Sequence, residues 1–526
     1  MQDILIFMSD QHGAFLSGYA GDPVVRTPNL DALAADGTVI ENAYTSCPLC
    51  VPARMSMLSG QLPVNTMVMD NNGSIPPEQP TFLHALGVAG YETVLCGRMH
   101  FDGPDQRHGF SKRIMGELTP VWPGYRKNIM KERKIYAMTF AEPGALKIIG
   151  GGNSPVLEYD RAVTKAALEY LAQPHEKPQC IVVGTYAPHF PYVAPPELYQ
   201  YYDQRVQMPT ATSAACDYDY TPYSNRHVDE TPETVHAARA AYWAMTEFMD
   251  GLIGEVRTAW DRYLKDNGRE GVFVYLSDHG DSSGTRGMYG KTSFFDPSSH
   301  IPMLFAGTGV PSGKKISAPA SIMDLGPTLC EMAGTNPPPR QDGKSIWQEI
   351  AGAADDSERI VLSDSSMSES VQGKKVPGRM AVYKNWKYIT FAGYEAEDLL
   401  FDLASDPDEL HNCIAEQPEI AEKLRAAAHE NWDPEEILAR YAIRNEGMSM
   451  VMAWTMQQEM DESERWHTTP ESLDFPDEIY SSKVPLPVRK GSLARVFAGM
   501  PEGDADVPAM VRELKARLQA EKNSKQ

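Results

Sequence analysis

Residues 4–13, Ile-Leu-Ile-Phe-Met-Ser-Asp-Gln-His-Gly, and residues 272–281, Val-Phe-Val-Tyr-Leu-Ser-Asp-His-Gly-Asp, share one pattern: a short apolar run that stops at acids and imidazoles. Apolar runs this short and this rich in β-branched and aromatic residues read as buried strands. Residues 93–96 run likewise into Gly97-Arg98-Met99-His100, residues 180–183 run into a segment ending at His189, and residues 302–305 form a fifth run. Helical patterns lie between them at 161–173 and 233–260. In the second, Tyr242, Met245, Met249, Leu252 and Val256 recur at three or four residues, the stripe of a core-facing helix. This alternation predicts an α/β fold, a large mainly parallel sheet sandwiched by helices. Ligands of such sheets bind beyond the carboxyl ends of the strands. Four strand ends therefore carry Asp10, Asp278, Asp281, His12, His100, His189, His279 and Arg98 toward one edge, which marks a site.

The chain of 526 residues is long enough for two to four domains, and 42% hydrophobic with 23% charged residues excludes disorder. Its charge, 48 − 71 = −23, disfavours nucleic acid and anionic membranes as partners. Seven cysteines without a second Cys-x-x-Cys pair exclude a zinc site and a disulfide framework, and predict reduced thiols in the cytoplasm. The apolar start at 4–8 is too short and too uncharged for a signal peptide, and no run of about 18 apolar residues predicts a membrane span. From about residue 355 the pattern changes to short strands at 380–383, 386–391 and 399–403, an Asp406-Pro407-Asp408 turn and a helix at 419–430. The expected organisation is a catalytic α/β domain at 1–354, a smaller C-terminal α+β domain with an antiparallel sheet at 355–431, and a helical and irregular tail at 432–526. That tail is expected at the interface of a homo-oligomer.

Residues 47–60 read Cys-Pro-Leu-Cys-Val-Pro-Ala-Arg-Met-Ser-Met-Leu-Ser-Gly. Pro52 suits a first helical turn and Gly60 a helix end. Cys50 then sits just before a helix N-terminus, where amide donors favour an anion, with Arg54 four residues on. Two readings fit these residues: an activated cysteine beside an anion site, and a buried structural thiol before an ordinary helix.

Cys50-Val51-Pro52-Ala53-Arg54, with Leu58 and Gly60, resembles the Cys-x-Pro-Ser-Arg signature of type I sulfatases in the alkaline phosphatase superfamily, with Ala53 in place of Ser. Other strand ends match in order. Asp10-Gln11 resembles the N-terminal metal strand, with Gln11 where many sulfatases carry a second Asp. Gly97-Arg98-Met99-His100 resembles Gly-Lys-x-His, Pro188-His189-Phe190-Pro191 resembles Pro-His-x-Pro, Asp278-His279-Gly280 resembles the second metal motif, and Lys291 matches the lysine that comes after it. The resemblance covers about residues 1–430. Choline-sulfatase-like enzymes look closest; the Asp-His pair also resembles phosphonate monoester hydrolases.

The resemblance implies that Cys50 is converted by a formylglycine-generating maturation enzyme, and that the hydrated aldehyde attacks a small-molecule sulfate ester. It implies one divalent metal on Asp10, Cys50, Asp278 and His279: calcium, with manganese or magnesium as alternatives. Arg54 would hold the nucleophile, Arg98 and Lys291 would bind sulfate oxygens, and Asn71 would add a donor. His189 with Lys291 would protonate the leaving oxygen, and His100 would act as base in releasing sulfate. His12 and His108 are expected to be structural. A choline headgroup would need aromatic or carboxylate partners, for which Trp122, Tyr125, Tyr218, Tyr220 and Tyr223 are available. The rival activities are phosphonate monoester or phosphodiester hydrolysis on the same scaffold, and anion binding without catalysis by an unmodified Cys50.

Overall fold

The computed structural model describes residues 1–119, 121–124, 146, 149–152, 154–458, 460 and 479–480. Strand β1 (Asp3–Asp10) is buried at every position, as an uninterrupted apolar run must be when both faces of a sheet are covered. It lies inside an eight-stranded sheet with β2 (Thr38–Ile40), β3 (Glu92–Gly97), β4 (Lys112–Met115), β5 (Gln179–Pro188), β6 (Gly271–Ser277), β7 (Met303–Gly307) and β8 (Lys314–Ile316), in the order β8-β2-β7-β6-β1-β5-β3-β4. Every neighbour runs parallel except β7, which is antiparallel to both β2 and β6.

Side chains along the strands alternate between two cores, as the pleat requires. Leu5, Phe7, Ile181, Val183, Phe273 and Tyr275 face one layer of helices; Ile4, Ile6, Met8, Val182, Val274 and Leu276 face the other. Helix α1 (Cys50–Ser59) belongs to the second layer; α2 (Pro155–Leu171) and α3 (Pro232–Asn267) belong to the first. The stripe Tyr242, Met245, Met249, Leu252 and Val256 is buried as its spacing predicts. Gly184 is needed where β5 passes under Arg98, since a Cβ there would stand 1.9 Å from the Arg98 carbonyl oxygen.

A separate four-stranded antiparallel meander comes next, from β9 (Ile360–Asp364) through β10 (Gly378–Tyr383) and β11 (Trp386–Phe391) to β12 (Leu399–Asp402), with α4 (Pro418–His429) packed on it. Its buried Lys387 bonds to Asp296 and, at 2.8 Å, to Glu409, which ties the small sheet to the loop that carries Lys291. Helix α5 (Pro434–Thr455), in the stretch expected at an oligomer interface, docks one side on its own chain. The Tyr441 hydroxyl donates to Asp70 at 2.6 Å, and Arg444 donates to the Asn72 carbonyl at 2.6 Å.

Candidate active site

The carboxyl ends of β1, β3, β5 and β6 open toward the start of α1. Cys50 is the first helical residue, Leu49 is its extended N-cap, and Gly60 closes the helix with φ 71°. The Cys50 Sγ lies 3.1 Å from Lys291 Nζ, 3.2 Å from His279 Nε2 and 3.8 Å from Asp10 Oδ1. Burial and the Asp10 carboxylate push this thiol up; Lys291 and His279 outweigh them, and its net shift is downward.

Asp10, Cys50, Asp278 and His279 offer ligand atoms within 4.8 Å of one another, all buried. Arg54 organises the set from behind. Its Nε donates to Asp278 Oδ2 at 2.8 Å and its Nη2 to Asp10 Oδ2 at 3.1 Å, so the Oδ1 atoms of both acids face His279 Nε2 at 3.6 and 3.7 Å. Two carboxylate oxygens, an imidazole and the residue-50 side chain, closed off from water, fit a hard divalent cation. Burial alone would raise Asp10; the Arg98, Arg54 and Lys291 cations together hold it well below the usual carboxylate range. His279 is buried too, but the adjacent Asp278 carries it above the ordinary imidazole value.

Arg98, fully buried, is committed on every side. It donates to Asp10 Oδ2, to Glu117 at 3.1 Å and to His100 Nδ1 at 2.8 Å, and lies 3.9 Å above the Tyr186 ring. Lys291 Nζ also bonds Gln11 Oε1 at 2.9 Å and His189 Nε2 at 2.6 Å. Gln11 is held in turn by Asp281, whose Oδ2 accepts its amide at 2.7 Å. These partners fix two imidazole tautomers, because Arg and Lys only donate and a carbonyl only accepts. His189 bonds the Phe190 carbonyl through Nδ1 at 2.8 Å, so its proton sits there and Nε2 accepts from Lys291. His100 accepts from Arg98 at Nδ1 and carries its proton on Nε2. Burial, with Lys291 beside His189 and Arg98 beside His100, holds both well below the ordinary imidazole value, hence neutral.

The sulfatase family matches residues 2–335, and the C-terminal part of N-sulphoglucosamine sulphohydrolase matches residues 284–433. The chain belongs to the sulfatase family. It is a sulfuric ester hydrolase. Choline-sulfatase of Rhizobium meliloti (strain 1021) is 33% identical over 439 residues, 79% of this chain and 83% of that one. Arylsulfatase K of Danio rerio is 27% identical over 447 residues, 80% of this chain and 82% of that one. Among solved structures, the phosphonate monoester hydrolase of Agrobacterium radiobacter superposes with a TM-score of 0.65 at 22% identity, covering 84% of this chain and 96% of that one. A 2-O GAG sulfatase gives 0.59 at 21%, covering 94% and 99%. These last two likenesses concern the fold.

In this sulfatase the expected site residues Asp10, Cys50, Arg54, Arg98, His100, His189, Asp278, His279 and Lys291 form one bonded cluster. The contacts of Arg54 and Arg98 in this cluster, and of Asn71 beside it, bear on the roles expected of them. Arg54 holds the two acids behind Cys50 instead of bonding Cys50 itself. Arg98 spends its donors on Asp10, Glu117 and His100. Asn71 accepts the Val51 amide at 3.0 Å through Oδ1, bracing the first turn of α1. His12 turns away to the Tyr275 hydroxyl and the Leu16 carbonyl, and His108 packs against Phe101 with the rings tilted. Tyr220 and Tyr223 pack on Phe391 of the small sheet, and Tyr218 bonds the Glu409 carbonyl; Tyr125 lies outside the described residues. Sequence reasoning missed Glu117, which pairs with Arg98 and also accepts the His100 amide at 2.9 Å. No neighbouring motif singles it out.

Proposed function

We propose that this sulfatase uses Cys50, matured to formylglycine by a formylglycine-generating enzyme, as the nucleophile toward a small-molecule sulfate ester. Asp10, residue 50, Asp278 and His279 would hold one divalent cation, calcium before manganese or magnesium for a mainly oxygen donor set. When bound, the cation acidifies the nucleophile and offsets sulfate charge. The observation that carries this reading is the placement of Cys50 Sγ, at a helix start, between Lys291 Nζ at 3.1 Å and the Asp10, Asp278 and His279 ligand atoms.

The chain's other residues divide the remaining work. Arg54 neutralises and orients the two acids. Lys291 reaches both the nucleophile and His189, so its ammonium, paired with His189 Nε2, is the proton source for the leaving alkoxide. His100 enters the reaction with its proton on Nε2, as a donor to oxygens around sulfur. It can act as a base only once Arg98 releases Nδ1. Arg98 shapes this side of the site from below and holds Asp10 ionised.

Choline sulfate heads the candidate substrates because the 33%-identical relative is a choline-sulfatase. The decisive experiment joins mass spectrometry of the Cys50 peptide to a panel of choline sulfate, an aryl sulfate, sugar sulfates and a phosphonate monoester. An aldehyde at position 50 with sulfate release supports the reading. Active material with an unmodified thiol refutes the nucleophile, and a preference for the phosphonate selects the rival activity. Seven unpaired cysteines support a cytoplasmic location, and no described helix is long and apolar enough to cross a membrane. Ile443, Met450, Val451 and Trp454, exposed on one side of α5, support a homo-oligomer, which light scattering would test.

A further inference from the structure

The ladder between β1 and β5 slips beside the active site. Met8 pairs with Gly184 and Asp10 with Pro188, so one residue of β1, Ser9, faces three of β5: Thr185, Tyr186 and Ala187. Such a bulge re-aims the side chains beyond it, and it deprives amides of their strand partners. Buried amides need an acceptor. Here the acceptor comes from another element. The Tyr186 and Ala187 amides each donate to one carboxylate oxygen of Asp160 on α2, both at 2.7 Å.

Directly beyond these two amides lies the proton-donating side of the site. The Tyr186 ring lies beneath Arg98 at 3.9 Å and stands edge-on to His189 with centroids 5.0 Å apart. The Tyr186 carbonyl accepts the His189 amide at 3.0 Å, closing the turn that presents the imidazole to Lys291. We propose that Asp160 is a positioning residue for this sulfatase: its carboxylate takes the place of the missing strand partner, fixing the bulge that aims His189 at Lys291 and sets Tyr186 under Arg98. The inference rests on the reading of His189 and Lys291 as the proton-donating pair. Burial pushes the Asp160 carboxyl up to about 7 against the pull of both amides. The chain thus keeps an acid where the inner face of α2 would otherwise take an apolar residue at less cost.

Asp160→Asn tests this with almost no change of size. The amide offers one acceptor and turns an NH2 toward the second backbone N–H. A shift of His189 by part of an ångström is expected to slow turnover of an alkyl sulfate by about tenfold to a hundredfold. Nitrophenyl sulfate, whose leaving group needs little protonation, should lose less than about threefold. The ratio of the two kcat values does not depend on the fraction of folded enzyme, so a purely structural loss leaves it unmoved. Hydrogen exchange at Tyr186 and Ala187 should accelerate by at least about tenfold while the amides of β6 keep their protection. An unchanged ratio in an active, folded Asp160→Asn variant, or unchanged exchange at both amides, overturns the proposal. If that variant does not fold, Asp160→Ser, a single acceptor in less space, is read in the same two ways. A wild-type protein that releases no sulfate from either ester sinks the functional reading instead, while the exchange result still decides what Asp160 holds.

Discussion

Removing His189 should cost most where the leaving group is worst. In the structure its Nε2 accepts from Lys291 Nζ at 2.6 Å, while Gln11 Oε1 holds the same ammonium at 2.9 Å. His189→Ala therefore leaves Lys291 in place but takes away the partner that shares its proton. General acid catalysis is typically worth about a hundredfold to ten-thousandfold. With half of the donating pair surviving, the lower end applies: about a hundredfold in kcat on an alkyl sulfate, or roughly 3 kcal/mol of barrier. A nitrophenolate departs nearly unaided, so the same variant should lose less than about fivefold on nitrophenyl sulfate. His100→Ala is expected to slow both substrates alike, because its proposed role is toward the oxygens around sulfur, whereas the leaving group is served by Lys291 and His189. The assay is steady-state sulfate release from the two esters, with metal content and residue-50 aldehyde measured in each variant. Equal losses on both esters in His189→Ala would refute the assignment of the donating pair.

Asp278→Ala is expected to empty the metal site and remove most activity, since it deletes one ligand and leaves Arg54 without its 2.8 Å partner; full metal occupancy by elemental analysis would show the ligand set to be wrong. Cys50→Ala should abolish turnover and leave the circular dichroism spectrum and unfolding midpoint nearly unchanged, because a small side chain at a helix start is trimmed by one atom. Lys387→Met strands the buried Asp296 and Glu409 carboxylates and should destabilise the protein by about 3–5 kcal/mol, read from denaturant midpoints. Asp250, which accepts the Asn29 and Leu30 amides, is raised by burial to about 6. A folded-state value above the unfolded one means stability that is full below about pH 4 and lost as pH rises through 6. At about 1.4 kcal/mol per unit the loss is near 3 kcal/mol, so unfolding free energies of Asp250→Asn should fall less steeply between pH 4 and 7 than those of wild type.

The sheet was legible because its strands announce themselves. The 4–8, 93–96, 180–183 and 272–276 runs have no charged residue to place on a solvated face, and each lies within an observed strand. The start of α1 was legible from Pro52 and Gly60, which act locally. Roles that depend on a distant partner were not. Nothing next to Arg98 in sequence says that its guanidinium is spent on Asp10, Glu117 and His100, and nothing next to Asp160 points to amides 26 and 27 residues away. The tyrosines at 218, 220 and 223 were just as available to a headgroup as to a core. The small sheet's Phe391 and Phe401 decide for packing.

The two metal-strand motifs show why register carries information that spacing cannot. Asp10-Gln11-His12 and Asp278-His279-Gly280 look offset in sequence, each pairing an acid with a nearby imidazole. Strands β1 and β6 run parallel with Ser9 opposite Ser277. Counted on from that last pair, Asp10 corresponds to Asp278, Gln11 to His279 and His12 to Gly280. One imidazole, His279, comes one residue beyond the acids and joins them; the other, His12, comes two residues beyond and turns back to Tyr275. Gln11, at the level of His279, is a neutral counterpart to it, and at φ 70° it aims its amide between Lys291 and Asp281 rather than at the metal ligands. An acid at that position would meet the Asp281 carboxylate where the Gln11 amide now donates. The departure from the common Asp is thus matched to Asp281, and two carboxylates, one imidazole and residue 50 remain to hold the proposed cation.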